Sequence, residues 1–102
     1  MDIGYEITGK KVIVKVNGSL SVQNAGEFEQ SALFAMKDNS LPLVIDFSNL
    51  KYISSSGLSA VVALSRNVKE KKSKMTLLIP KGSILDVFKR TGLLSVFDIT
   101  IL

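Results

Sequence analysis

The sequence contains no cysteine and no histidine. Without cysteine the chain has no disulfide framework, no thiolate zinc site and no cysteine nucleophile. Without histidine it also lacks the most common metal ligand and the most common general base of enzymes. These absences exclude most enzyme chemistries, and we expect no cofactor and no bound metal ion.

Long apolar runs and a targeting segment are missing as well. The apolar stretches, for example 43–45 and 77–79, are far shorter than the roughly 18 residues that a membrane span needs. The first seven residues contain two acids and no apolar core, unlike a signal or transit peptide. We therefore expect a cytoplasmic protein without membrane insertion.

The composition is that of one small globular domain. The 102 residues are 46% hydrophobic and 22% charged, and a chain of this length accommodates a single domain, here 1–102. The net charge is +4, and the positive charge is concentrated in the second half, where Lys69, Lys71, Lys72 and Lys74 form a cluster. Such a cluster is typical either of a nucleic-acid-binding surface or of a helix C-terminus, where cations are stabilised by the negative end of the helix dipole. No nucleic-acid-binding module accompanies it, so we interpret it as a solvated helix end and expect no direct DNA binding.

Hydrophobic periodicity predicts three helices interspersed with β-strands. In chain order these are strands 3–7 and 11–16 with a turn at Gly9, a helix capped by Ser21 and ended at 38–40, strand 43–45, a polar connection at 46–56, a second helix, strand 75–79, a third helix after a turn at 80–83 and stopped by Gly92, and strand 96–101. Strands separated by helices pair in parallel through right-handed crossovers, whereas the opening hairpin is antiparallel. The predicted fold is an α/β sandwich, β-β-α-β-α-β-α-β, with a mixed, mostly parallel sheet.

The predicted core lies between the central strands and the helices that cover them. The strand residues are Leu43, Val44, Ile45, Leu77, Leu78 and Ile79, and the helical residues are Leu58, Val61, Val62, Ile84 and Phe88. Their three- and four-residue spacing in the helices places them on one helical face.

The segment 46–58 is the most informative part of the sequence, since it follows a buried strand and opens a helix. Ser54 or Ser55 is expected to cap that helix, because a serine hydroxyl accepts an N–H of the first turn. Three consecutive serines exceed what one cap requires. A hydroxyl beside a helix N-terminus also stands where the helix dipole and free amides stabilise a phosphate, so a phosphoacceptor is the second interpretation.

The sequence resembles the STAS family, the domain of bacterial anti-sigma factor antagonists and of the cytoplasmic tails of sulfate transporters. The resemblance covers nearly the whole chain. It is carried by Gly18-Ser19-Leu20, by Asp46-Phe47-Ser48-Asn49-Leu50, by Ile53-Ser54-Ser55-Ser56-Gly57-Leu58, and by Leu85, Phe88, Thr91-Gly92-Leu93 and Phe97. In the antagonists the central pattern is D-S-S-G-L or D-S-T-G-L, so Ser54 stands at the position of the acid and Ser55 at that of the phosphorylated hydroxyl.

The resemblance implies a partner switch without catalysis by the domain itself. An antagonist binds an anti-sigma factor that is an ATP-dependent serine kinase and releases a sigma factor; phosphorylation expels the antagonist, and a phosphatase restores it. Ser55 is the implied phosphorylation site. The implied partner-binding residues are Gly18, Ser19, Leu20, Ser21, Asp46, Ser48, Ser54, Ser55, Ser56, Gly57 and Leu58. We expect Gly57 to stay small so that a partner's backbone can approach.

Two alternatives remain open from the sequence. One is a STAS subunit or scaffold of a membrane transport or signalling assembly, in which Ser55 would be only a cap and contact residue. The other is a domain that binds a nucleotide or another anion at the helix N-terminus.

Overall fold

The computed structural model describes residues 3–102. Its strands are β1 (Ile3–Ile7), β2 (Val12–Val16), β3 (Gly18–Leu20), β4 (Leu43–Asp46), β5 (Leu50–Ile53), β6 (Met75–Ile79) and β7 (Asp98–Ile101), and its helices are α1 (Ala25–Ala35), α2 (Ser55–Glu70) and α3 (Ser83–Arg90). The main sheet has the order β1-β2-β4-β6-β7, in which β1 and β2 are antiparallel and the other neighbours parallel. The predicted mixed, mostly parallel sheet is confirmed.

Two short strands were not foreseen. β3 and β5 pair in parallel as a separate two-stranded sheet, although the sequence suggested only a polar connection over 46–56. In β5, Leu50 and Ile53 are buried and the two residues between them are exposed. Buried and exposed residues therefore do not alternate along β5, and the sequence pattern of a strand is missing. The last strand begins at Asp98 and not at 96, and a 3-10 turn over Leu93–Ser95 precedes it.

The three central strands of the main sheet, β2, β4 and β6, have one face buried under the helices. Val12, Val14 and Val16 have no exposed surface, and their neighbours along β2 are partly exposed. The same alternation runs through β4 and β6. Of the predicted core, Leu43, Ile45, Leu77, Ile79, Val61, Ile84 and Phe88 are buried; Val44, Leu78, Leu58 and Val62 are half-buried.

The predicted start of the first helix is wrong. α1 begins at Ala25 with Asn24 as its N-cap residue, and Ser21 lies one turn earlier. Val22, which a helix capped by Ser21 would contain, precedes α1 and is 70% exposed. The reason is local: the Ser21 carbonyl accepts N–H groups from Asn24 and Ala25, forming a turn that precedes the helix.

The lysine cluster is not merely a solvated helix end. The Lys71 ammonium donates to the carbonyl oxygens of Met36, Lys37 and Asn39, the last at 3.0 Å. These carbonyls follow α1, whose last turn has no basic residue. Lys71 therefore places a cation at the negative end of another helix and joins the ends of α1 and α2.

Candidate functional site

The N-terminus of α2 is defined by Ser54. Its backbone is extended, with φ −92° and ψ 173°, and its Oγ accepts the Gly57 N–H at 3.1 Å. The Ser54 N–H donates to the Leu20 carbonyl at 2.8 Å, which ties the start of the helix to the end of β3. The capping role predicted for Ser54 or Ser55 thus belongs to Ser54.

Ser55 is the first residue of α2, and its side chain is exposed. Ser56 is half-buried. Within residues 3–102 the Ser55 hydroxyl has no hydrogen-bond partner, in contrast to the Ser54 hydroxyl in the cap. No acidic residue lies in the first turn of α2. The Ser55 hydroxyl is therefore accessible beside a helix N-terminus whose partial positive charge is not neutralised by an acid in that turn.

Gly57 packs closely against Leu20 and Ile53 of the same chain. A Cβ atom at this position would lie 2.9 Å from the Leu20 carbonyl oxygen, 2.9 Å from Ile53 Cγ1 and 3.0 Å from Leu20 Cγ. The expectation that Gly57 leaves room for a partner needs correction, because the close approach is between α2 and the β3–β5 sheet. Gly57 and Leu20 are buried, so they lie beneath the predicted partner-binding surface and are not part of it.

The β3–α1 loop is organised by Asn24, which the sequence reasoning missed. Its side-chain amide donates to the Ser19 carbonyl and accepts the Ser21 N–H, each at 2.8 Å. Asn24 is 8% exposed, so both contacts are sheltered from water. The Ser21 hydroxyl donates to Gln23 Oε1 at 2.7 Å. Asn24 is the N-cap residue of α1, but its side chain makes no cap hydrogen bond, so the capping preference of asparagine does not predict this role.

The β4–β5 loop is organised by Asp46. Its Oδ1 accepts the Ser48 N–H at 2.9 Å, forming an Asx turn. The Asn49 carbonyl then accepts the Gly18 N–H at 3.0 Å, which joins this loop to the start of β3. Gly18 has a φ of +80°, a conformation that glycine adopts without steric cost. The half-buried Asp46 and Ser48 therefore build the loop that carries β5 toward α2.

The paired strands β3 and β5 bring most of the predicted site residues together. Ser19 lies opposite Tyr52, and Leu20 lies opposite Ile53, just before the serine cluster. Ser19 and Ser55 are exposed, while Ser21, Ser56 and Leu58 are half-buried. Two exposed apolar side chains border this region: Val22 is 70% exposed and Tyr52 is 57% exposed, and Tyr52 was not among the predicted site residues.

Within residues 3–102 the structure contains no group of three Asp or Glu side chains that could hold a metal ion. The helices of the same residues are all too short or too polar to cross a membrane.

The site thus joins an exposed serine at a helix N-terminus to a flanking two-stranded sheet, an arrangement suited to a modified or protein-binding surface. Residues 3–101 match the STAS domain family, to which this chain belongs. The expected resemblance is confirmed.

Three relatives illustrate the similarity. A proposed anti-sigma factor antagonist of Bordetella bronchiseptica, BtrV, is 26% identical over 88 residues, which are 86% of this chain and 76% of BtrV. The crystal structure of a proposed anti-sigma factor antagonist from Thermotoga maritima has a TM-score of 0.84 at 21% identity, covering 95% of this chain and 84% of that one. The Bacillus cell fate determinant SpoIIAA in its phosphorylated form has a TM-score of 0.76 at 20% identity, covering 98% and 90%.

Proposed function

We propose that this protein is an anti-sigma factor antagonist that is switched off by phosphorylation of Ser55. In the unphosphorylated state it binds an anti-sigma factor, which is an ATP-dependent serine kinase, and thereby releases a sigma factor. The phosphorylated protein leaves the kinase until a phosphatase removes the phosphate. The protein acts as the substrate of the kinase and performs no catalysis.

The difference between Ser54 and Ser55 is the observation that carries this proposal. The Ser54 hydroxyl accepts the Gly57 N–H, whereas the neighbouring Ser55 hydroxyl is exposed. A kinase can reach only a hydroxyl that projects to solvent. Division of the two roles between two residues lets Ser55 be modified while the helix cap stays intact.

A phosphate on Ser55 is compatible with the fold. The phosphate adds about −1.5 to −2 charges, and the N-terminus of α2 stabilises negative charge through its dipole. For a docked partner the phosphate is unfavourable, because a charged group would have to lose its water at an interface that previously held a neutral hydroxyl, and nearby negative charges of the partner would repel it. A loss of about 3 kcal/mol of binding free energy would weaken the complex roughly a hundredfold.

The docking surface is proposed to centre on Ser55 and to extend across β3 and β5. Ser19 and Tyr52 lie opposite each other in this sheet, and Val22 follows in the next loop. Aromatic side chains are enriched among the residues that dominate binding energy in protein interfaces. Tyr52 is therefore the proposed apolar anchor of the partner, beside the residue whose charge is switched.

The experiment combines the purified protein, Mg-ATP and the anti-sigma factor kinase encoded by the same genome, with the phosphate located by mass spectrometry. We expect one phosphate, on Ser55. The Ser55→Ala variant should carry no phosphate and stay bound to the kinase, and Ser55→Asp should bind at least about tenfold more weakly through its charge. Ser59→Ala, which alters an exposed serine one turn further along α2, is the matched control and should behave as wild type.

Two results would contradict the proposal. Phosphate that persists on the Ser55→Ala protein would move the modification elsewhere. A wild-type protein that binds the kinase but never receives phosphate would favour the docking subunit or scaffold without a phosphoswitch.

A further inference from the structure

The free edge of β1 presents unused backbone hydrogen-bonding groups. β1 ends the main sheet and pairs only with β2 among residues 3–102. The Val12 N–H donates to the Pro42 carbonyl at 2.9 Å and so points away from β1 toward β4. Ile7 lies directly opposite Val12, which makes this a non-hydrogen-bonded pair. By the alternation of antiparallel strands, the N–H and C=O groups of Ile3, Tyr5 and Ile7 point outward from the sheet.

The side chains at this edge are apolar on one face. Ile3, Tyr5 and Ile7 lie opposite Val16, Val14 and Val12, whose side chains face the core. At the edge this face is left partly open, with Tyr5 45% exposed and Ile7 51% exposed.

The apolar face continues onto α1. Phe34 is 65% exposed, and its ring centroid lies 6.5 Å from that of Tyr5. Proline, a bulge or an inward-pointing charge commonly blocks such an edge. β1 has none of these, since its one charge, Glu6, lies on the opposite face of the sheet.

The sequence of β1, Ile-Gly-Tyr-Glu-Ile, is close to symmetric about Tyr5. If a second copy pairs antiparallel about a two-fold axis at Tyr5, each Ile3 faces an Ile7 and each Gly4 faces a Glu6. Every outward N–H and C=O group of the strand then finds a partner. A shift of two residues toward the C-terminus would instead place Glu6 opposite Glu6, and like charges directly opposite are destabilising.

We propose that β1 is a self-association surface, on which two copies of this chain pair edge to edge and extend the main sheet across a two-fold axis. The interface is isologous, so each copy contributes the same strand and the same Tyr5–Phe34 aromatic pair. A five-residue strand edge is small beside the roughly 1,200–2,000 Å² of a standard interface, so the dimer is weak and forms at high protein concentration. This proposal does not depend on the phosphoswitch, and the Ser55→Ala protein should associate like wild type.

Sedimentation velocity over a concentration series up to about 1 mM tests the proposal, since weak interfaces dissociate in this range. Wild type should shift from monomer to dimer as its concentration rises. Tyr5→Lys places two ammonium groups opposite each other and should weaken association at least about tenfold. Ile101→Lys is the matched control, because Ile101 is 48% exposed on β7, the strand at the other end of the sheet, and should leave association unchanged.

A charge-swap mixture tests the register itself. The Tyr5→Lys protein mixed with the Tyr5→Glu protein should form a heterodimer, although each alone stays monomeric. Circular dichroism verifies that every variant is folded. The proposal is overturned if wild type remains monomeric at the highest concentration, if Ile101→Lys and not Tyr5→Lys abolishes association, or if the mixture of folded charge variants fails to associate.

Discussion

Substitution of Gly57 by alanine provides a direct test of how α2 is seated on the β3–β5 sheet. In an exposed helix alanine is about 0.5–1 kcal/mol more favourable than glycine. Here its Cβ would lie 2.9 Å from the Leu20 carbonyl oxygen, which belongs to backbone that also accepts the Ser54 N–H. Overpacking of this kind typically costs about 1–3 kcal/mol, so we expect Gly57→Ala to lose about 1–2 kcal/mol of stability overall.

The measurement is urea unfolding followed by far-UV circular dichroism, since the chain has no tryptophan. In a thermal unfolding experiment on the same variant, a loss of 1 kcal/mol would lower the Tm by about 4–8 °C for a domain near this size. Gly26→Ala is the matched control, because Gly26 lies in α1 and a Cβ there meets nothing within 4 Å. The control should be neutral or up to about 1 kcal/mol more stable. If Gly57→Ala is as stable as this control, the inferred contact between α2 and β3 is wrong.

Three further predictions concern stability and binding. Lys71→Met should lose about 1–2 kcal/mol in urea unfolding, because the α1 carbonyls lose their cation, while the exposed control Lys74→Met should change little. Ser54→Ala should lose about 0.5–2 kcal/mol in the same assay through the missing cap, and an unchanged stability would disprove that role. Tyr52→Ala should weaken kinase binding at least about tenfold in calorimetry without altering the unfolding midpoint; equal affinity would remove Tyr52 from the interface.

The main sheet and the helices could be predicted from the sequence because their signals are periodic. Alternating valines in β2 and three- and four-residue spacing in α2 are repeated several times, so single exceptions do not obscure them. The strands β3 and β5 have three and four residues, too few for a period to be recognised. They exist because they pair with each other, with Ser19 opposite Tyr52, and such a tertiary contact cannot be read from either segment alone.

The sequence predicted where the candidate site lies, but it predicted the roles of the individual site residues only in part. The position of Ser54 before α2 follows from capping preference, but the preference alone did not separate Ser54 from Ser55. Asn24 was missed because its side chain does not cap α1, so capping preference gives no sign of its role. Its role depends on two backbone groups of the preceding loop, those of Ser19 and Ser21, whose positions are set by β3.

Three serines, Ser19, Ser21 and Ser54, stand where many of the antagonists that the sequence resembles carry an acid, and the structure indicates what these substitutions preserve. Ser54 still accepts the Gly57 N–H, a capping role that a carboxylate and a hydroxyl perform comparably. The β3–α1 loop, with Ser19 and Ser21, is held by the neutral amide of Asn24. The frame of the site therefore needs no carboxylate at these positions. Since the first turn of α2 has no acidic residue, a phosphate on Ser55 would introduce its first negative charge, and the electrostatic contrast between the two proposed states would be set by that phosphate alone.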